Sequence, residues 1–272
     1  MSEKTTMNEN LTNVGTDYGN WVPAAMMKPL WIVTGVLCVL ELLDLCFLKS
    51  VAAGIVLAAA LAAVLIFTLY MQACRRRFAF DGGGLMGEIH QYLTDHCLWD
   101  GQGVLLDIGC GAGALTIRCA KRFPQARLVG VDFWGKEWSY AKEQCQRNAQ
   151  AEGVADRITF EKGDAAKLDF PDETFDAAVS NFVFHEVRTQ PDKRLVVREA
   201  LRVVKKGGVF AFQDMFEHKN LYGDMDELVE ALKAEGVAEI HYIPNVDRLD
   251  FIPGYIRTPW MLNGMGLLYG RK

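Results

Sequence analysis

In the stretch VLLDIGCGAGALTI, Asp107 stands two residues ahead of Gly109, and Gly109, Cys110, Gly111 and Gly113 form a turn between an apolar run and a helical pattern. Glycines at that spacing admit φ > 0 and let a ligand reach the main chain without meeting a Cβ. A carboxylate just before them favours a ligand bearing positive charge and opposes a pyrophosphate seated on the helix N-terminus that follows. Further polar groups end apolar runs downstream: Asp132, then Asp164 with Ala165, then Asn181 with Phe182. Close behind, in SNFVFHEV, His185 with Glu186 beside it is the best-placed proton acceptor, the competing reading being that His185 caps the strand and bonds locally. His90, His96, His218 and His241 have no motif around them.

Bringing these residues together takes alternating strands and helices. Val104–Ile108 reads as the first strand, Leu128–Val131 as the second, Ile158–Glu161 as the third and Ala177–Ser180 as the fourth, with a helix over Glu137–Ala151. A helix over Asp192–Val204 buries Val196, Val197, Ala200 and Leu201, and Gly207 and Gly208 end it ahead of the strand VFAFQD. A helix over Asp226–Ala234 and strands near Ile240 and Leu267–Tyr269 complete the pattern, which is that of a doubly wound, Rossmann-like α/β domain. Its ligand lies outside the carboxyl ends of the strands, where the polar residues above fall.

Two cofactors use such a turn. Gly109-x-Gly111-x-x-Ala114 with Asp132 downstream satisfies the loose dinucleotide fingerprint. S-adenosylmethionine, with cationic ammonium and sulfonium groups, accounts for Asp107 as well. Asp132 suits a vicinal diol and Asp164 an exocyclic adenine amine, so the set fits adenosine without phosphate.

Residues 85–272 resemble the class I S-adenosylmethionine-dependent methyltransferases: LLDIGCGAG is similar to their first motif, VGVDFW to their ribose motif, EKGDAAKLDFPDETFDAAVSNFVFHEV to the adenine and substrate stretch, and ALRVVKKGGVF to the segment entering strand five. The resemblance implies that Asp107, Gly109, Cys110, Gly111 and Gly113 hold the methionine part. It places Asp132 on the ribose hydroxyls, Phe133 or Trp134 against adenine, Asp164 with Ala165 at its amine, and Asn181 and Phe182 near the sulfonium. The tryptophan pair Trp134 and Trp138, and DYGNWVPAAMMKP near the N-terminus, resemble membrane-anchored bacterial members of the group, which offer no substrate. Tyr18 and Trp21 read either as interfacial anchors or as part of a lid over the site.

The apolar excess is concentrated ahead of this domain. Leu30–Leu48 is nearly all apolar, interrupted by Glu41 and Asp44, and Val51–Met71 carries no charge. The second run spans roughly 30 Å as a helix, a bilayer's hydrocarbon core. The expected organisation is a polar segment over 1–28, a transmembrane hairpin over 29–74, a basic and glycine-rich linker with a hinge at Gly82–Gly84 over 75–84, and the methyltransferase domain over 85–272. Arg75, Arg76 and Arg77 against Lys49 put that domain in the cytoplasm, so the protein is expected in the cell membrane with two spans. The seven cysteines are odd in number and lack a C-x-x-C pair, which points away from a disulfide framework and from a metal site. A net charge of −5 without a basic stripe beyond the three arginines argues against nucleic acid as a partner.

The expected function is methyl transfer from S-adenosylmethionine to a lipophilic small molecule or lipid, with the bilayer as partner. A membrane module that binds the cofactor without catalysis and an NAD-dependent oxidoreductase are the alternatives.

Overall fold

Runs that are apolar on both faces make the centre of a parallel sheet, and the strands VLLDI and FDAAVSN are of that kind. The computed structural model describes residues 15–81, 84–135 and 142–272. The described residues fall into two compact units, one within 19–86 and the other made of 15–18 with those within 87–272.

The smaller unit is a helical hairpin. Helix α1 (Ala24–Leu43) runs into a π turn over Asp44–Leu48, and α2 spans Val51–Phe78. Both are long and apolar enough to cross a membrane. Lys49, at φ +52, reverses the chain, and Ser50 caps α2 by accepting from Ala53 N. Asp44 Oδ1 accepts from Ser50 N at 3.3 Å, so this acidic residue braces the turn. The helices meet at Thr34 and Thr68, whose hydroxyls are 3.3 Å apart. Arg75, Arg76 and Arg77, assigned from sequence to a linker, form the last turn of α2, where cations complement the helix dipole. Arg75 also donates to Val22 O, and Asn20 Nδ2 to Arg75 O at 2.9 Å. Gly82 and Gly83 of the expected hinge lie outside the described residues.

In the larger unit, α3 (Leu85–His96) leads to β1 (Val104–Ile108), α4 (Ala114–Arg122), β2 (Arg127–Asp132), α5 (Lys142–Ala151) and β3 (Ile158–Lys162). Then follow β4 (Phe175–Asn181), α6 (Lys193–Arg202), β5 (Val204–Asp214), α7 (Lys219–Tyr222), α8 (Met225–Ala234), β6 (Glu239–Ile243) and β7 (Gly266–Arg271). The sheet order is β3-β2-β1-β4-β5-β7-β6, with β7 antiparallel to both neighbours. Strand order reverses between β1 and β4, which is where a doubly wound sheet opens its ligand crevice.

One face packs Phe210, Phe212, Val197, Leu201, Tyr222 and Leu232 into a single cluster beneath α6, α7 and α8. Leu105 and Leu128, turned to the opposite face by strand alternation, are equally buried. Gly207 and Gly208 do not end the sixth helix: α6 stops at Arg202, and the glycines lie inside β5. There the register slips between Phe175 and Ala177, Gly207 adopts φ +77, and a Cβ on Gly208 would come within 2.9 Å of Asp176 O. The expected helix from Glu137, with Trp138, lies outside the described residues up to residue 141.

Candidate active site

The turn after β1 is held from below. Gly109 N and Cys110 N both donate to Val131 O, at 2.7 and 3.1 Å. Gly109 has φ +77, and a Cβ there would lie 2.1 Å from the Val183 side chain, so both backbone angle and space demand glycine. Gly111 and Gly113 also take positive φ, and α4 starts directly after them. Cys110, expected among the ligand contacts, turns its side chain inward; burial drives its thiol well above the usual range, and only its backbone belongs to the turn.

Asp107 lies beneath this turn. Its Oδ2 accepts from Thr116 Oγ1 at 2.6 Å, and its Oδ1 is buried without a hydrogen-bond partner. Burial, against the Thr116 bond and with the added repulsion of Asp132, raises its carboxyl to about 7. A buried carboxylate oxygen lacking a donor is a receptor for a cationic or hydrogen-bonding group.

Asp132, at the end of β2, accepts from Gly111 N at 2.9 Å through Oδ2 and from Trp134 N at 2.8 Å through Oδ1. It therefore braces the turn, while each oxygen keeps a second lone pair for a ligand hydroxyl. Burial raises its pKa, offset by the backbone N–H groups of Trp134, Gly111 and Phe133. Trp134 sits at φ +46 with its indole Nε1 3.2 Å from Gly111 O, so it is tied to the turn. Phe133 is 58% exposed, with Lys162 Nζ 5.8 Å from its ring centre. Asp164 accepts from Ala166 N and Thr189 Oγ1, each at 2.9 Å, linking the loop that carries Ala165 to the segment after β4.

At the ends of β4 and β5, Asn181 pairs in register with Gln213. Asn181 Oδ1 and both amide atoms of Gln213 are buried without partners. Phe182 adopts φ +57, a conformation few aromatic residues take, with its N–H on Gln213 O at 2.8 Å.

Asp214 organises the loop that follows. Its Oδ2 accepts from Val183 N and Phe184 N at 3.0 and 2.8 Å, and its Oδ1 from Met215 N and His185 Nδ1 at 2.7 and 2.8 Å. Burial opposes charge on His185, yet the Asp214 carboxylate and the nearby Glu186 raise it to about 10. Burial likewise disfavours charge on Asp214, but the imidazolium holds its pKa below the usual range. Glu186, 3.5 Å from His185 Nε2, is held low first by that contact. At neutral pH His185 is thus an imidazolium, which has no lone pair with which to take a proton. Asp214 was not singled out in the sequence; its signal was its position as the last residue of VFAFQD, at the carboxyl end of a central strand. Thr116 was missed too, standing in the first turn of α4.

Residues 106–212 match a family model described as a methyltransferase domain. Sterol 24-C-methyltransferase of Aspergillus fumigatus is 30% identical over 61% of this chain and 48% of its own length. The chain spans about half the length of the first curated relatives it matches. Among solved structures, geranyl diphosphate methyltransferase in complex with the cofactor has a TM-score of 0.53 at 16% identity, over 78% of this chain and 90% of that one. The [4+2]-cyclase SpnF has a TM-score of 0.50 at 23% identity, over 64% of each chain, so the fold alone does not name a reaction. With the motifs in order along the sheet and the family model covering the strands that carry them, residues 106–212 are a methyltransferase domain of the class I S-adenosylmethionine-dependent kind, whose cofactor is S-adenosylmethionine.

Proposed function

We propose that this protein is a membrane-anchored enzyme that moves a methyl group from S-adenosylmethionine to a lipophilic small molecule or lipid. The observation that carries the donor half is the orphaned Asp107 Oδ1 beneath the glycine turn, with Asp132 at the end of the next strand. This set suits a cation and a diol, and its like charges oppose a pyrophosphate. The acceptor half rests on the two apolar helices and on the sterol substrate in the name of a relative. The arginines ending α2 favour the cytoplasmic side for that end of the hairpin.

S-adenosylmethionine supplies an electrophilic methyl group. Asp107 and the turn from Gly109 to Gly113 would hold its methionine end, Asp132 would take the ribose hydroxyls, Phe133 would offer an exposed ring to adenine, and Asp164 with Ala165 would receive its amine. Asn181 and Phe182 border the reacting centre, where alignment and exclusion of water do most of the work. Asp214 fixes His185 through Nδ1, and the imidazolium keeps Glu186 ionised. Glu186 is then the group in the right protonation state to take a proton from a hydroxyl or amine acceptor.

The test is incubation of the detergent-solubilised protein with methyl-labelled S-adenosylmethionine and either a total lipid extract or a water-soluble metabolite extract. Label in the lipid extract is the expected result. Label confined to water-soluble acceptors overturns the lipophilic reading, and cofactor binding without transfer to either extract favours a silent binding module.

A further inference from the structure

The segment just ahead of the hairpin reaches the back of the cofactor turn. Asp17 N donates to Asn148 Oδ1 at 2.9 Å, and Asn148 Nδ2 donates to Asp17 O at 2.8 Å, so the carboxamide reads the Asp17 peptide as a neighbouring strand would. The same Nδ2 donates to Ala112 O, inside the turn, at 2.9 Å. Asn148 is only 2% exposed, and Thr16 is fully buried. Gln144 Nε2 adds a bond to Asp17 O at 2.7 Å, and the Tyr18 hydroxyl donates to Glu152 Oε1 at 3.0 Å. Glu152 is paired in turn with Lys121 of α4.

The carbonyls of the turn are thereby tied from behind. Gly111 O receives Trp134 Nε1 and Cys145 Sγ, at 3.2 and 3.1 Å, while Ala112 O receives Asn148. An amide fixed through its carbonyl is fixed as a whole, and the N–H of this one, on Gly113, donates to Cys110 O at 2.8 Å and closes the turn. One buried side chain therefore joins the Asp17 peptide to the main chain that must fit the ligand.

We propose that Asn148 is a positioning residue through which Thr16–Tyr18 straps the cofactor turn, so that docking of the strap and binding of S-adenosylmethionine favour one another. This rests on the cofactor assignment. By linkage, whatever the strap adds to cofactor affinity, the cofactor adds to strap docking.

The test uses the full chain in detergent. Titration calorimetry with S-adenosylmethionine is combined with hydrogen exchange at the Asp17 amide, for wild type, Asn148→Leu and the double variant Gln144→Met with Tyr18→Phe. The double variant touches only the strap side and guards against a failure of Asn148→Leu to fold. Expected is a five- to twenty-fold loss of cofactor affinity in the double variant, about the effect of losing one or two hydrogen bonds, with an unliganded melting temperature close to wild type. Cofactor is expected to slow Asp17 exchange in wild type, to slow it less in the double variant, and to leave it unchanged in Asn148→Leu. Wild-type affinity in the double variant, or Asp17 exchange indifferent to cofactor in wild type, overturns the strap alone. A wild-type protein that binds no S-adenosylmethionine overturns the cofactor assignment, and the strap falls with it.

Discussion

His185 Nδ1 and Asp214 Oδ1 lie 2.8 Å apart, joining the segment after β4 to the last residue of β5. Asp214 is buried, so the pair holds its charges away from water, and removing one partner strands the other. His185→Gln is expected to lower stability by about 3 kcal/mol, and His185→Gln combined with Asp214→Asn by less than the sum of the single changes. Urea denaturation of the three variants measures both.

The same pair sets a pH window. His185 is raised from 6.5 to about 10, so its contribution is complete below pH 6.5 and lost as pH rises toward 10. Asp214 is lowered, so its contribution is present at neutral pH and lost as pH falls through its folded value. Unfolding free energy measured between pH 6 and 10 should decline across that range in wild type and be flatter in the double variant.

Asp107 is shifted in the opposite direction to Asp214. Its folded value of about 7 lies above the usual 3.8, so ionising it costs stability as pH climbs between those values. A cationic ligand prefers the ionised form, so affinity for S-adenosylmethionine should tighten from pH 6 to pH 8. Asp107→Asn should fold at least as well, bind about tenfold to a hundredfold more weakly, and lose that pH dependence. Calorimetry in two buffers of different ionisation enthalpy counts the proton released.

Asp132→Ala frees Gly111 N and Trp134 N together and removes the carboxylate proposed to accept from the ribose diol. S-adenosylmethionine and S-adenosylhomocysteine should both cease to bind, with NADH silent in wild type and variant alike. NADH binding by wild type would count against the cofactor.

Gly109→Ala tests the floor of the turn without changing a charge. A methyl group 2.1 Å from Val183, at φ +77, should cost about 2 to 4 kcal/mol, read as a lower melting temperature.

The central strands β1, β2 and β4 were legible because each is a short apolar run with a polar residue at or next to its carboxyl end. Asp107, Asp132 and Asn181 were found by that rule, and the rule reaches Asp214 as well. What escaped was pairing across the chain: nothing local to Asp214 shows that it accepts from Val183, Phe184 and His185. The bulge at Gly207 and Gly208 was hidden for a different reason. A glycine pair after an amphipathic helix reads as its stop, and only the approach to Asp176 shows that the pair serves the strand. The resemblance implies Phe133 or Trp134 against adenine; the Trp134 indole N–H donates to Gly111 O at 3.2 Å, a tie that the motif does not reveal.

Strand β7 follows every other strand in the chain yet lies between β5 and β6. Until residues 266–271 have been synthesised, β5 lacks its partner on that side and β6 has none. The sheet therefore closes only after translation has passed its last strand, long after the apolar helices have left the ribosome. During that interval the half-built sheet presents an open edge of main-chain groups. A nascent chain stalled before Gly266 accordingly keeps the β5 edge unpaired on the side that β7 covers.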